Sequence, residues 1–193
     1  MPDVVGDQLD RGALQLYCVA GVDELSWYDE TIPVHERAEW QSRYDRYLTD
    51  EVLPFMAERN ESPVLITTGA SFGGYHALNF ALRHPSLVQR ALSMSGLPDI
   101  RRLTGGVSDG AVYFQNPAEF IPNEHDEARL AALRRMDIIL AVGRDDSLRP
   151  ANESFSGALW ERGIGNALRI WDGWAHDWPY WQRMMALYIG GHD

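Results

Sequence analysis

The sequence predicts an α/β chain built as a three-layer α/β/α sandwich around a mainly parallel sheet. Two observations carry that reading. Apolar runs of strand length recur along the 193 residues, and segments with three- and four-residue apolar spacing separate most of them. A hydrophobic content of 45% can fill one substantial core, so residues 1–193 are read as a single domain.

Met1 to Arg11 reads as the tail of a helix, because Val4, Val5 and Leu9 fall at helical steps. Leu14 to Ala20 reads as a buried strand, and Cys18 within it as a buried thiol. A long helix is expected from His35 to Arg59, where Trp40, Tyr44, Tyr47, Leu48, Val52, Phe55 and Met56 form one stripe suited to the core. Pro63 introduces the next strand, Val64 to Thr68, and Tyr75, Leu78, Phe80 and Leu82 mark a helix that stops at His84-Pro85. Val88 to Ser95 is the third strand. Asp99 to Pro122 breaks the rhythm with Gly105-Gly106, Gly110 and Asn116-Pro117, so 99–122 is read as an excursion over the sheet's carboxyl edge, either a lid or a long loop. Strands at Asp137 to Gly143 and Ala167 to Trp171 follow, with helices at Asn152 to Arg162, closed by Gly163, and at Trp178 to Ile189.

A net charge of −11 argues against nucleic acid and anionic membrane partners, both of which require clustered positive charge. All 17 basic residues are arginine, which removes Schiff-base lysine chemistry and the P-loop lysine. No cofactor is implied, and no Cys/His or His/carboxylate spacing suggests a metal. The amino terminus has no basic segment followed by an apolar core, so a cytoplasmic protein is expected. Self-association is left open.

The chemistry concentrates at Gly69-Ala70-Ser71-Phe72-Gly73, a Gly-x-Ser-x-Gly between an apolar strand and a helix. A serine becomes a useful nucleophile when its oxygen stands clear of the backbone, beside a base and near amide donors. A sharp strand-to-helix turn supplies that setting, and Gly69 and Gly73 are expected to relieve its crowding. The amide of Phe72, at the start of the following helix, is the expected oxyanion donor.

An acid and then a histidine should follow the serine, each beyond a later strand. Asp146 after Ile138 to Gly143 is the first choice of acid and Asp145 the second, and His176 after Leu168 to Trp171 is the base. The other histidines, His35, His76, His84, His125 and His192, lie outside such a position. Trp27, Tyr28, Trp174 and Trp178 suit either a substrate pocket near these residues or the core.

With these residues the chain resembles the α/β-hydrolase superfamily, and within it the esterase family that includes esterase D-like and polyhydroxybutyrate depolymerase-like proteins. The likeness rests on Ser26-Trp27-Tyr28, Tyr47 through Pro54, Thr68 through Gly73, Arg83-His84-Pro85, Met94-Ser95-Gly96, Val142-Gly143 with Asp146, and Gly173 through Trp178. It implies hydrolysis of a small carboxylic ester through an acyl-enzyme, with Ser71 as nucleophile, Asp146 as acid and His176 as base. An acyltransferase is a close variant, and a crippled or non-catalytic binding protein on the same fold is the alternative from another class. The resemblance also implies three strands before the equivalent of Leu14 to Ala20, the third lying between that strand and Val64 to Thr68. Only residues 1–13 precede Leu14, so an N-terminally truncated α/β-hydrolase-like sheet is expected; Met1 internal to a longer protein is the favoured reading over direct closure of the two flanking strands or a degenerate remnant. The loop after the absent strand would carry a second oxyanion amide, which leaves Phe72 as the one evident donor.

Overall fold

The protein is described by a computed structural model over residues 4–190; Met1 to Asp3 and the tail containing His192 lie outside the described residues. Helix α1 (Gly6–Asp10) comes first, then an extended segment, then α2 (Val34–Tyr47). A wider helical turn at Leu48–Val52 joins α2 to α3 (Leu53–Ala57). From there strand and helix alternate: β1 (Ile66–Ala70), α4 (Phe72–Arg83), β2 (Arg90–Met94), the short helices α5 (Arg101–Thr104), α6 (Gly110–Tyr113) and α7 (Pro117–Phe120), α8 (Glu127–Leu133), β3 (Asp137–Gly143), α9 (Arg149–Glu161), β4 (Ala167–Trp171) and α10 (Trp178–Tyr188).

The four strands form one parallel sheet in the order β1-β2-β3-β4. Their register pairs Ala70 with Met94, Met94 with Ala141, and Gly143 with Trp171, so the carboxyl ends align along one edge. Alternate residues of the central strands point to opposite faces. Ala91, Ile138 and Leu140 join α4, α8 and α9 on one side, whereas Leu92, Met94, Ile139 and Ala141 meet α10 and Val5 on the other. Each fully buried large aliphatic side chain of this kind contributes roughly 1.5–3 kcal/mol. The result is the three-layer arrangement that the strand and helix pattern predicts.

Residues 101–120 fold as three short helices, with Ile100, Val112 and Phe120 buried. Asn116 fastens this excursion by accepting from the Ile100 amide (3.2 Å) and donating to Asp99 (3.2 Å). Burial of Asp99 raises its carboxyl pKa, but the bonds from Arg101 and Asn116 outweigh burial and leave it lowered.

Leu14 to Ala20 departs from expectation, because it forms no strand and Cys18, Val19 and Ala20 are exposed. An apolar run becomes a strand only beside a backbone that completes its hydrogen bonds. β1 pairs with β2 alone, and a cavity of about 300 Å³ opens between residues 14–23, β1 and the adjoining faces of α2, α3 and α4. The aromatic stripe is corrected by the same cavity: Tyr44 is buried, Tyr47 and Phe55 are exposed, and Leu48, Val52 and Met56 line the opening. β1 begins at Ile66 rather than Val64, where its register with β2 begins, and Val64 is exposed.

One measurement separates this form of Leu14 to Ala20, without a strand and with Cys18 exposed, from a buried strand. Cys18 is the only cysteine, and the native protein should take up one equivalent of a thiol reagent nearly as fast as the denatured chain. Strong protection of the native thiol would contradict the exposed placement.

Candidate active site

β1 ends at Ala70 and α4 starts at Phe72, so a single residue makes the turn. Ser71 makes it with φ 53° and ψ −118°, a conformation that costs a non-glycine residue of order 1–3 kcal/mol. Backbone bonds hold it there. Its amide donates to the Met94 carbonyl (2.8 Å), and its own carbonyl accepts from Gly74 (3.0 Å) and Tyr75 (3.3 Å).

The glycines serve this turn unequally. A Cβ on Gly69 would overlap the carbonyl of Gly73, whereas a Cβ on Gly73 would meet nothing within 4 Å. The expected steric role of Gly73 therefore fails, since it is the backbone of Gly73 that crowds Gly69. Gly74 is the second position without room, because its Cβ would lie 2.9 Å from both Gly96 Cα and Ser93 Oγ. Among the described residues the amides of Phe72 and Gly73 donate to no backbone carbonyl. They stand at the positive end of a 12-residue helix, where an anionic oxygen would be stabilised.

Asp146 lies three residues beyond β3, is 4% exposed, and is held by the Leu148 amide donating to Oδ1 (2.9 Å). Its Oδ2 lies 2.8 Å from His176 Nδ1, and His176 Nε2 lies 3.0 Å from Ser71 Oγ. With Nδ1 protonated, the imidazole donates to Asp146 and presents a lone pair to the serine hydroxyl. Asp145 is exposed and meets the histidine loop only through its amide, which donates to the Gly173 carbonyl (3.0 Å). The structure thus joins Ser71, His176 and Asp146 in one line and leaves Asp145 out.

The four aromatics that suit either a substrate pocket or the core divide between the two settings. Trp27 is a core residue, 1% exposed, with its indole N–H donating to the Tyr75 hydroxyl (3.1 Å). Tyr28 is half exposed, with its ring 4.8 Å from that of Phe72; burial, with Asp23 nearby, raises its hydroxyl pKa. Trp174 stacks on the His176 ring at 5.4 Å and 22°, and Trp178 meets Trp181 edge-on; both Trp174 and Trp178 are more than half exposed. Trp181 itself packs edge-on against His176 at 5.2 Å. The sequence offered little for this residue beyond its three-residue spacing from Trp178.

The 300 Å³ cavity is not at Ser71. It lies on the other side of α4, where His76 Nε2 and Asp23 Oδ1 are 2.5 Å apart and burial pushes the Tyr44 hydroxyl up to about 12. Among the described residues, no group of three His, Cys, Asp or Glu side chains could hold a metal ion, and no helix is long and apolar enough to cross a membrane.

Residues 20–188 match a family model described as Putative esterase. No curated protein matches the chain. Among solved structures, a ferulic acid esterase is 26% identical, with 76% of this chain and 58% of that one covered at a TM-score of 0.62. The fluorophosphonate-binding serine hydrolase F of Staphylococcus aureus, in a substrate-bound structure, is 19% identical, with 76% and 62% covered at a TM-score of 0.58. At that identity the second likeness is one of fold. The chain spans less than two thirds of the length of either.

The unequal glycines can be tested by chemical denaturation. Gly69→Ala must displace the start of α4 and should lose about 1–3 kcal/mol, whereas Gly73→Ala should stay within about 0.5 kcal/mol of the native chain. Equal losses at both positions would contradict the geometry of the turn.

Proposed function

Because the chain belongs to the putative esterase family, we propose that it hydrolyses a small carboxylic ester through an acyl-enzyme on Ser71. The observation that carries this reading is the continuous line from Ser71 Oγ through His176 to Asp146, with both hydrogen-bond distances at or below 3.0 Å. Separations of 2.6–3.2 Å are those at which a base can take a proton from its nucleophile.

The steps follow from the groups in place. As Ser71 Oγ attacks the ester carbonyl, its proton passes to His176 Nε2, and the carbonyl oxygen gains charge in front of the Phe72 amide. Asp146 accepts a hydrogen bond from the Nδ1–H throughout, which fixes the tautomer and stabilises the imidazolium. The imidazolium then gives its Nε2 proton to the departing alkoxide, leaving an alcohol and an acyl group on Ser71. Water repeats the sequence: its proton goes to His176, its oxygen to the acyl carbon, and the proton returns to Ser71 as the acid departs.

Esterase rather than binding protein is favoured by the strain at Ser71. A left-handed serine would be a cost without benefit in a binding protein. Acyl transfer to a second alcohol would use the same residues, with that alcohol replacing water in the last step.

A fluorophosphonate probe should label the native protein at Ser71 with one adduct per chain by mass spectrometry, and Ser71→Ala should abolish the adduct. A native protein that stays unlabelled would sink the proposal. The two neighbouring acids give a second test, through kcat on an activated ester. Asp146→Asn should lower kcat by on the order of 10³- to 10⁴-fold, and Asp145→Asn should leave it within about twofold.

A further inference from the structure

Among the described residues, three that are not glycine have positive φ: Ser71 (53°), Ser95 (49°) and Ala175 (47°). Each costs free energy and persists only where its surroundings impose it. The three are brought together in space. Ser71 immediately follows β1, Ser95 immediately follows β2, and Ala175 immediately precedes His176 in the loop after β4.

Ser95 is fully buried and its hydroxyl has two partners from that loop and the helix behind it. It accepts from the Trp181 indole N–H (3.2 Å) and donates to the Ala175 carbonyl (3.4 Å), the longer of the two bonds. That carbonyl belongs to the peptide unit joining Ala175 to His176. The Trp181 ring in turn packs edge-on against the His176 imidazole. One residue earlier, the Met94 carbonyl accepts from the Ser71 amide (2.8 Å), and the Ser95 amide donates to the Ala141 carbonyl (2.7 Å) of β3. Met94 and Ser95 therefore touch the backbone of the serine on one side and that of the histidine on the other.

We infer that Ser95 is a positioning residue: its hydroxyl, shared between Trp181 and the Ala175–His176 peptide, sets the reach of His176 toward Ser71. This rests on the esterase reading for its kinetic consequence, but the geometry it predicts is observable without turnover. A hydroxyl in a left-handed residue at this point is hard to explain by packing alone. Glycine would remove the strain, but only a hydroxyl meets both the Trp181 indole N–H and the Ala175 carbonyl.

The experiment compares Ser95→Ala, Trp181→Phe and the double variant. Ser95→Ala leaves a buried indole N–H without an acceptor and frees the loop; kcat should fall ten- to a hundredfold, with KM within about twofold. Trp181→Phe keeps a ring against His176 but removes the donor, so it reports on the network even where Ser95→Ala folds poorly, and kcat should fall in the same direction. In the double variant no indole N–H is stranded, so thermal stability should recover relative to Ser95→Ala while kcat does not. A purely structural serine predicts that both recover together, and that result would overturn the inference. The proton resonance of the His176–Asp146 hydrogen bond, read by NMR, gives the arm that is independent of activity: it should be sharp in the native protein and broadened or lost in Ser95→Ala. An inactive native protein that shows this change would remove the esterase reading and leave the positioning role intact. An unchanged resonance in Ser95→Ala would remove the positioning role, whatever the activity.

Discussion

Everything at the site depends on how closely α4 can approach β1 across the Ser71 turn. The helix starts one residue after the strand ends, so the carbonyl of Gly73 occupies the space where any side chain at position 69 would stand. That proximity forces Ser71 out of the extended region and into φ 53°. It also aims the first amides of α4 at the space beside the serine oxygen. A turn one residue longer would relax the backbone and lose both effects. The strain at Ser71 and the position of its oxygen are one property of the chain, maintained by the Met94 carbonyl and by the packing of Gly74 on Gly96.

How much of this was legible in the sequence varies along the chain. β3 and β4 were placed at their observed bounds because polar and glycine residues close each apolar run, Arg144-Asp145 after β3 and Asp172-Gly173 after β4. The order of Ser71, Asp146 and His176 was legible for a related reason: each follows a strand that composition alone marks. Leu14 to Ala20 is likewise a mainly apolar run of strand length and yet is not a strand. Strand formation is a property of a pair of backbones, and sequence reports only one of them. The role assigned to Gly73 failed differently, since the pattern marks a crowded turn without saying which glycine is crowded. The contact between Ser95 and Trp181 carried no signal, although Met94-Ser95-Gly96 entered the resemblance, because a left-handed φ at serine and a bond across 86 residues leave no local pattern.

The misread segment has a structural consequence along β1. The Leu65 carbonyl and the Ser71 amide face β2, so by alternation Ile66, Thr68 and Ala70 turn their amides and carbonyls to the opposite edge. Those groups have no hydrogen-bond partner among the described residues. The side chain of Thr68 is likewise unpaired although its hydroxyl is inaccessible. Unpaired backbone along an edge is costly when water is kept from it. The neighbouring cavity, open between residues 14–23 and α4, lets solvent reach that edge. Its Asp23–His76 pair is separated from Ser71 by α4, so this opening and the strained serine do not coincide.

The strand order explains why the histidine loop needs support from below. Ser71, Ser95, Asp146 and His176 follow β1, β2, β3 and β4 respectively, one from each strand of a sheet in that spatial order. Neighbouring strands lie about 4.8 Å apart, so β4 stands roughly 14 Å from β1. His176 must cross the ends of β3 and β2 to reach Ser71. Over β3 the loop rests where Gly143 leaves room for the Trp174 carbonyl, and Asp146 holds the imidazole from that strand. Over β2 the corresponding support is Ser95. A loop spanning that distance without fixed points would pay conformational entropy each time the histidine engaged the serine. With one contact per strand the cost is met when the chain folds, and the imidazole already stands 3.0 Å from the serine oxygen.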